Sequence, residues 1–463
     1  MPRKRNARLW LCLVLGLGCS AGTENERPNL VLIIGDDHGY PYAGFMGNES
    51  VETPHLDRLA AEGTVFSNAY NVASSCRPSL MSLLTGLDPY QVELRSQQLE
   101  RQGRGRLGVN RILDFETLPA LLAQRGYVSL QAGKHWEGSA RQAGFTAGTK
   151  SLKEATGSTF VDFSGGLVGL EIGRTGMEPL WELLEQAQGE PFLLWFAPKL
   201  PHTPLDAPAR YRAPYLEAGL SNTAVAYYAN ITRLDAAIGE LLERLSAMGL
   251  GERTLVVYLS DNGWDQAPDV LATGRGVTLG GPRGKMSMFE LGFRTPIVFR
   301  WPQQVPAGVV HDELISTLDL FPTLLDYAGL ETPPGRWGRN LRPAIESREP
   351  LPERALYGRM AGALPDTVDA ASQNTLGRLR RPAVFARRGR WHYFGFETEK
   401  GDPIAGEEKL FDVESDPGET RNLAPENPEV AAALRQEIED WKRRAAKSLP
   451  RREGRLSPWS AAE

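Results

Sequence analysis

Three separate segments of the chain share one pattern, a continuous apolar run that stops at polar residues. The first, NLVLIIGDDHGY, ends in Asp36 and Asp37. The other two, PFLLWFAPKLPHTP and TLVVYLSDNGWD, are followed by His202 and by Asp261 and Asn262. Apolar runs without alternation are typical of strands buried on both faces of a parallel sheet, whose carboxyl ends meet at one edge. The repetition therefore predicts an α/β sheet that gathers these polar side chains at that edge.

The segments around these strands predict helices that cover the sheet. TPHLDRLAAEG and TLPALLAQRGYVSLQAG both begin with helical patterns, and the second continues into a strand before Lys134 and His135. Residues 330–360 are rich in Pro, Gly and charge, which is typical of a linker with loops. Beyond them, AVFARRGRWHYFGF and KLFDV predict short antiparallel strands, and PEVAAALRQEIEDWKRRAAK predicts a closing amphipathic helix. We expect a larger domain over residues 28–340 and a smaller C-terminal α+β domain over residues 341–463.

The first residues have the pattern of a secretory signal. Residues 1–8 carry four basic side chains and no acid, and an apolar run follows over residues 9–18. The run is shorter than the about 20 residues needed to span a bilayer. Cys19 after it resembles the lipid-attachment site of bacterial lipoproteins, and ordinary cleavage near Ala21 is the alternative. We expect a signal peptide over residues 1–18, a linker over residues 19–27, and a protein exported to the periplasm or cell surface.

Composition and cysteine usage narrow the classes of function. The formal net charge is −5 and no basic field is visible, which excludes a nucleic-acid partner. Cys12 lies in the expected signal and Cys19 is lipidated or removed, so Cys76 is the one internal thiol of the mature chain. It stands in SSCRPSLMSLLTG, where Pro78 predicts a helix start whose positive dipole end points at the thiol. A lone exported cysteine is either an inert buried side chain or a chemically used one.

Taken in order, the motifs over residues 28–424 resemble those of the sulfatase family, the formylglycine-dependent type I enzymes of the alkaline-phosphatase-like superfamily. The matching motifs are the paired aspartates, the cysteine motif ending in LLTG, GK after a strand, PHTP, SDNG, GKMSMFELGFRTP, DLFPTLLDYAG and LFDVESDPGETRNLA. The resemblance implies a large mixed sheet sandwiched by helices, with the domain of residues 28–340 as the catalytic domain. It also implies hydrolysis of aryl or carbohydrate sulfate monoesters, so the expected partner is a sulfated small molecule or glycan.

The candidate metal ligands follow from the chemistry of that reaction. A sulfate monoester is an anion that resists nucleophiles, so its hydrolysis needs a divalent ion, positive side chains and an activated oxygen. Oxygen donors are the ligands that calcium takes. The alternative for such residues at strand ends is capping and turn formation. The resemblance implies one Ca²⁺ per chain, held by Asp36, Asp37, Asp261, Asn262 and the modified Cys76.

The resemblance also implies the catalytic groups. A formylglycine-generating enzyme would oxidise Cys76, and the hydrated aldehyde would attack sulfur with one hydroxyl and release sulfate with the other. Lys134 and Lys285 match the lysines that contact sulfate, and His202 matches the histidine that protonates the leaving oxygen. His135 is a further catalytic candidate, with packing as the alternative.

Two positions depart from the family pattern. Leu80 stands where the family has an arginine that belongs to the maturation signal and holds the aldehyde, and Trp136 stands where it has a histidine. Arg77 has the charge to replace the missing arginine but lies one residue from Cys76 instead of four. These departures leave the conversion of Cys76 open.

Two other functions therefore remain beside sulfate hydrolysis. One is a phosphodiesterase or phosphonate hydrolase of the same superfamily, and the other is a non-catalytic relative that binds sulfated glycans. We also expect Trp136 or Trp264 to stack on a sugar or aryl ring at the pocket mouth, with core packing as the alternative.

Overall fold

The structure, a computed structural model, describes residues 27–105, 108–149, 171–266, 281–347, 349–364 and 380–448. The expected signal peptide and Cys19 lie outside these residues. Within the described ranges, no helix combines the length and the apolar character that crossing a membrane requires.

A nine-stranded mixed sheet forms the centre of the molecule. Its strand order is β4-β3-β5-β1-β6-β7-β2-β8, and β9 pairs with β2. The neighbours among β3, β5, β1 and β6 are parallel, whereas β7 is antiparallel to both β6 and β2. The strands are β1 (Asn29–Gly35), β2 (Thr64–Tyr70), β3 (Val128–Gly133), β4 (Ala147–Gly148), β5 (Phe192–Ala197), β6 (Thr254–Ser260), β7 (Arg294–Arg300), β8 (Val309–His311) and β9 (Ile315–Ser316).

Both faces of this sheet are buried, as the unbroken apolar runs predict. Successive residues of β1 belong to opposite core clusters, with Leu30 and Leu32 on one face and Val31 and Ile33 on the other. This alternation follows from the two-residue period of a strand. The expected α/β fold with helices on both sides is therefore confirmed.

Helices from across the sequence cover the two faces. The first face packs against α2, α4 and α9, and the second packs against α1, α5 and α7. The helices of the large unit are α1 (Pro54–Ala61), α2 (Cys76–Thr85), α3 (Pro89–Arg101), α4 (Leu118–Leu122), α5 (Glu178–Leu184), α6 (Ala209–Glu217), α7 (Asn222–Ala247), α8 (Glu290–Phe293), α9 (Leu320–Tyr327) and α10 (Arg342–Ser347). The predicted helix around Pro78 begins two residues earlier, at Cys76 itself.

A second, four-stranded antiparallel sheet follows in the chain, as expected. Its order is β10-β11-β12-β13, with β10 (Ala355–Ala363), β11 (Arg381–Arg388), β12 (Trp391–Phe396) and β13 (Lys409–Asp412). The closing helix α11 (Pro428–Ser448) packs on one face through Trp441 and Ile438. The other face packs against Phe289 and Phe293 of the large unit. The boundary at residue 340 stays a prediction.

The start of α3 is fixed by a buried acid. Asp88 accepts a hydrogen bond from the Tyr90 N–H at 2.8 Å, while the Gln91 side chain accepts one from the Asp88 N–H at 3.1 Å. This reciprocal capping satisfies amide groups that the first helical turn leaves free. Asp88 is almost inaccessible to solvent, and burial raises the pKa of its carboxyl group to about 7.

The raised pKa predicts a pH-dependent stability. Because the folded state favours the protonated form of Asp88, this group contributes fully to the free energy of unfolding below about pH 4. The contribution is lost as the pH rises through about 7. Asp88→Asn keeps an oxygen for the cap but cannot ionise. We expect the variant to be more stable than the parent at pH 8, by about 1–3 kcal/mol, and nearly equal at pH 4. Urea unfolding at the two pH values measures this, and an equal difference at both would contradict the assignment.

Candidate active site

The ends of adjacent parallel strands deliver the candidate residues to one edge of the large sheet. Asp36 follows β1, Lys134 follows β3 and Asp261 follows β6. At Lys134 and Asp261 the strand pairing continues for one residue beyond the strand, whereas Asp36 pairs with the segment that follows β5. The backbone N–H groups of these three residues donate to the carbonyl oxygens of Leu200, Ala197 and Gly35, respectively, each at 2.9 Å. The backbone therefore holds the three side chains in fixed positions before any side-chain contact is counted.

Buried lysines and carboxylates form a single cluster there. Lys134 Nζ lies 2.5 Å from Asp36 Oδ1 and 3.3 Å from Asp261 Oδ2. Lys285 Nζ lies 2.7 Å from Asp37 Oδ1. Because Asp36 and Asp261 both reach one ammonium nitrogen, their carboxylates are close enough to share an ion. The structure thus brings together five residues that were proposed from sequence.

The charges in this cluster do not balance. Burial would raise the pKa of Asp36, but the ammonium of Lys134 beside it lowers that pKa below its usual value. Burial dominates at Asp261 and raises its pKa to about 7. Burial would also lower the pKa of Lys134, but the carboxylates raise it. If all three carboxylates ionise, they exceed the two ammonium groups by one negative charge, and the raised pKa of Asp261 reflects the cost of that charge in a buried place.

Two buried oxygen atoms in the cluster test whether a metal ion fits. Among the described residues, Asp36 Oδ2 and Asn262 Oδ1 have no hydrogen-bond partner. The Asn262 amide nitrogen donates to Asp37 Oδ1 at 2.8 Å and to Gly263, which leaves the amide oxygen as the unpaired atom. Ligand atoms of Asp36, Asp37 and His202 lie within 4.8 Å of one another. Unpaired oxygen donors beside excess negative charge fit a hard divalent cation.

Cys76 lies at the start of α2, directly after the loop that follows β2. Cys76 is partly buried, and desolvation raises the pKa of its thiol against the opposing effect of the Lys134 and Lys285 ammonium groups. Asp261 and Asp36 are close enough to raise the pKa further. The side chain at position 76 therefore belongs to the same charged cluster, at the positive end of a helix.

The position of the missing arginine is apolar in the structure. Leu80 is fully buried in the core cluster between the large sheet and α2. Arg77 does not take its place, because its guanidinium binds Glu137 through Nε at 2.6 Å and Nη2 at 3.2 Å. Trp136 packs against the cluster that contains Leu80, and its ring centroid lies 5.5 Å from Lys134 Nζ. An apolar pair has thus replaced the arginine and the histidine of the family pattern.

The remaining candidates differ in their relation to the cluster. His202 is 23% exposed, with Nε2 3.6 Å from Asp37 Oδ2, so it lies at the mouth of the site. His135 is buried, and its Nε2 contacts the carbonyl oxygen of Gly138 at 2.9 Å. Trp264 is only 3% exposed and stacks on Tyr227 at 5.1 Å, so core packing is correct for this residue.

Three supporting residues were not found from the sequence. Tyr227 of α7 binds the carbonyl oxygen of Asp37 at 2.6 Å, Trp195 of β5 binds that of Lys134 at 2.9 Å, and Glu137 binds Arg77. The backbone also has positive φ angles beside the site, 68° at Asp37 and 70° at Trp136. Such angles are uncommon outside glycine and cluster at functional sites. No local pattern in the sequence indicates these contacts.

Comparison with known proteins identifies the family. A family model described as Sulfatase matches residues 28–330. Bovine (Bos taurus) arylsulfatase A is 31% identical over 93% of this chain and 89% of its own length. Human (Homo sapiens) N-acetylgalactosamine-6-sulfatase is 31% identical over 90% of this chain and 85% of its own length. A protein solved in complex with its substrate D-glucosamine-2-N,6-O-disulfate has a TM-score of 0.65 at 20% identity, covering 92% of this chain and 100% of that one.

The burial of Leu80 predicts a large stability loss on truncation. Leu80→Ala removes apolar volume beneath Cys76, so we expect a loss of about 2–5 kcal/mol in the free energy of unfolding. Leu216→Ala is the matched control, because Leu216 is 52% exposed and its truncation should change stability by less than about 0.5 kcal/mol. Urea titrations followed by tryptophan fluorescence measure both values. Equal small effects would show that Leu80 is not part of the core.

Proposed function

The chain belongs to the sulfatase family, and from that membership we propose that it hydrolyses sulfate monoesters of sugars or aryl alcohols at the cluster around Cys76. Membership makes it a sulfuric ester hydrolase. The sulfated-sugar substrate of the solved neighbour supports a glycan substrate. The non-catalytic interpretation loses support, because the chain aligns with named enzymes over most of its length.

One observation carries this proposal. Two buried ammonium groups, Lys134 and Lys285, lie against an excess of carboxylates within electrostatic range of the Cys76 thiol. A sulfate ester brings negative charge to this place, and more develops on its oxygens as the S–O bond breaks. Fixed positive groups in a buried site stabilise such charge more strongly than water does.

The residues suited to hold a divalent cation, which we propose to be Ca²⁺, are Asp36, Asp37, Asp261 and Asn262, with the oxidised side chain at position 76. The unpaired oxygens of Asp36 and Asn262 support this assignment. When bound there, the cation would supply positive charge that offsets the carboxylates and polarises an oxygen ligand.

Position 76 is the proposed source of the nucleophile. Formylglycine formed from Cys76 would supply, as its hydrate, one hydroxyl that attacks sulfur and a second that allows sulfate to leave. Lys134 lies beside this residue. Trp195 donates a hydrogen bond to its carbonyl oxygen, and the ring of Trp136 lies against its ammonium group. Lys134 therefore keeps its ammonium group at the point where the attacking oxygen and a sulfate oxygen meet.

Two further side chains complete the proposed chemistry. Lys285 binds a sulfate oxygen from the opposite side, where Asp37 orients its ammonium group. His202, at the mouth, holds the proton that the leaving oxygen takes up when its bond to sulfur breaks. His135 contacts no described carboxylate or lysine of the cluster, so we assign it to bracing the Gly138 turn instead of to catalysis.

We also propose the organisation of the full chain. The catalytic domain covers residues 28–340, the small domain follows, and residues 1–18 direct export with lipid attachment at Cys19.

Removal of one ligand should abolish metal-dependent stabilisation. Calcium at about 100 times its dissociation constant stabilises a folded protein by about 2.7 kcal/mol. We expect calcium to raise the melting temperature of the parent chain and to leave that of Asp261→Asn unchanged. Asp402→Asn is the matched control, because Asp402 is an exposed acid in the loop between β12 and β13. Differential scanning calorimetry with calcium and with chelator measures the shifts, and a full shift in Asp261→Asn would contradict the assignment.

Substitution of Leu80 tests both the conversion of Cys76 and the hydrolysis of sulfate esters. We expect Cys76 of the parent chain to be partly converted when the chain is co-expressed with a formylglycine-generating enzyme. Leu80→Arg should be converted further, because the substitution restores the maturation motif. Formylglycine is about 18 Da lighter than cysteine, a side-chain change visible in the peptide mass. Because Leu80 is buried against the cluster that Trp136 covers, Leu80→Arg with Trp136→His should be needed for the full gain in turnover.

The assay must separate sulfate from phosphate chemistry. Each preparation is tested with an aryl sulfate, a sulfated sugar and an aryl phosphate diester. Turnover of the sulfates that rises with the aldehyde fraction supports the proposal. Turnover of the phosphate diester alone would move the assignment to a phosphodiesterase, and full conversion without sulfate turnover would contradict sulfate hydrolysis.

A further inference from the structure

A cavity of about 460 Å³ opens beside the nucleophile position. Ser75 and Arg77, the neighbours of Cys76 on both sides, line it, and so does Met286, which follows Lys285. The opposite wall is the strand β10 of the small sheet, from Arg359 to Gly362. The volume lies in the range of about 300–1,000 Å³ that is usual for small-molecule sites. A substrate group bound in this cavity would therefore lie next to position 76.

The charged residues of this cavity are mostly arginines. Four arginines and two glutamates line it, namely Arg77, Arg111, Arg359, Arg380, Glu93 and Glu137. The structure pairs three of the arginines with carboxylates, and it shows no carboxylate partner for Arg380 within the described ranges. Arg380 is exposed and precedes β11, so its cation is available to a ligand.

The rest of the lining fits a sugar more closely than an aromatic ring. Met81, Met286 and Met360 give the cavity an apolar surface that can contact the C–H face of a sugar ring. None of the described lining residues is aromatic, so the cavity offers no stacking surface for an aryl group. The Glu93 and Glu137 carboxylates can accept hydrogen bonds from hydroxyl groups, which a saccharide has in number.

We propose that this cavity binds the leaving group of a sulfated saccharide that carries a second anionic group, a sulfate or a carboxylate, and that Arg380 selects this second group. The inference rests on the proposed sulfatase function, since it concerns the part of the substrate that is released. Arg359 and Arg77 are held by carboxylate partners that offset their positive charge. Arg380, which has no carboxylate partner among the described residues, gains a charged hydrogen bond when the second anion is present.

The kinetic test compares substrates that differ in one anionic group. The pair is a monosulfated disaccharide and the same disaccharide with a second sulfate on the leaving sugar, and 4-methylumbelliferyl sulfate is the substrate without a second anion. For Arg380→Ala we expect KM for the disulfated substrate to rise about tenfold, with kcat unchanged and the other two substrates unaffected. Arg380→Lys should restore part of the loss, and Arg58→Ala, which changes an exposed arginine outside the cavity, should have no effect.

The salt dependence of the substrate preference is a second test of the contact between Arg380 and the second anion. The preference for the disulfated substrate should shrink between 0.05 and 0.5 M salt in the parent chain, because exposed charges are screened beyond about 8 Å at physiological salt. In Arg380→Ala the preference should be smaller and less sensitive to salt. An equal loss on all three substrates, or no loss on any, would overturn the proposal.

Binding without turnover separates this inference from the function on which it rests. In a Cys76→Ala background, isothermal calorimetry measures the affinity for the two disaccharides with and without Arg380→Ala. An Arg380-dependent preference in a protein whose parent hydrolyses no sulfate ester would support the anion site and reject the sulfatase function. Turnover of sulfate esters by the parent, with no Arg380-dependent preference in binding, would reject the anion site and leave the function in place.

Discussion

An excess of buried negative charge is the constraint on which the rest of this structure depends. Three carboxylates, those of Asp36, Asp37 and Asp261, lie almost out of contact with solvent at one edge of the sheet. Unpaired carboxylates in such a place cost several kcal/mol each, so the surrounding elements have to supply positive charge. Lys134 and Lys285 do so directly, and the start of α2 contributes the positive end of a helix. The unpaired oxygens that remain are what a cation would bind.

The same constraint explains why the exchange at Leu80 is tolerated. Removing an arginine from a site with excess negative charge costs electrostatic stability, but Leu80 is buried in a core cluster against which Trp136 also packs. The free energy of apolar burial, about 1.5–3 kcal/mol for a leucine, partly offsets the lost charge. In the proposed reaction the two lysines would then carry the interactions with sulfate, and the ring of Trp136 contacts the ammonium group of Lys134.

In the function proposed here, the large sheet carries the reacting groups and the small sheet carries the groups that select the substrate. The large sheet fixes the reacting groups through backbone hydrogen bonds at its strand ends, which leaves little freedom for side chains such as Lys134. The small sheet contributes β10 and Arg380 to the cavity beside the nucleophile. Phe289 and Phe293 join the sheets through a shared apolar core close to the loop that carries Lys285. A change in the small sheet can therefore alter the substrate that is accepted while the charged cluster stays intact.

The sequence by itself determined the strands β1, β3, β5 and β6, the helices α1 and α4, and the residues at the strand ends. These depend on local patterns: an apolar run fixes a buried strand, and the next residue, Asp36 or Asp261, then lies at its end whatever the rest of the chain does. Only the tertiary structure decided the partners of Arg77, the support of Asp37 by Tyr227 and the cavity beneath Arg380. Those contacts join residues from distant parts of the chain, and their geometry follows from how helices and sheets pack, which no local pattern of residues encodes.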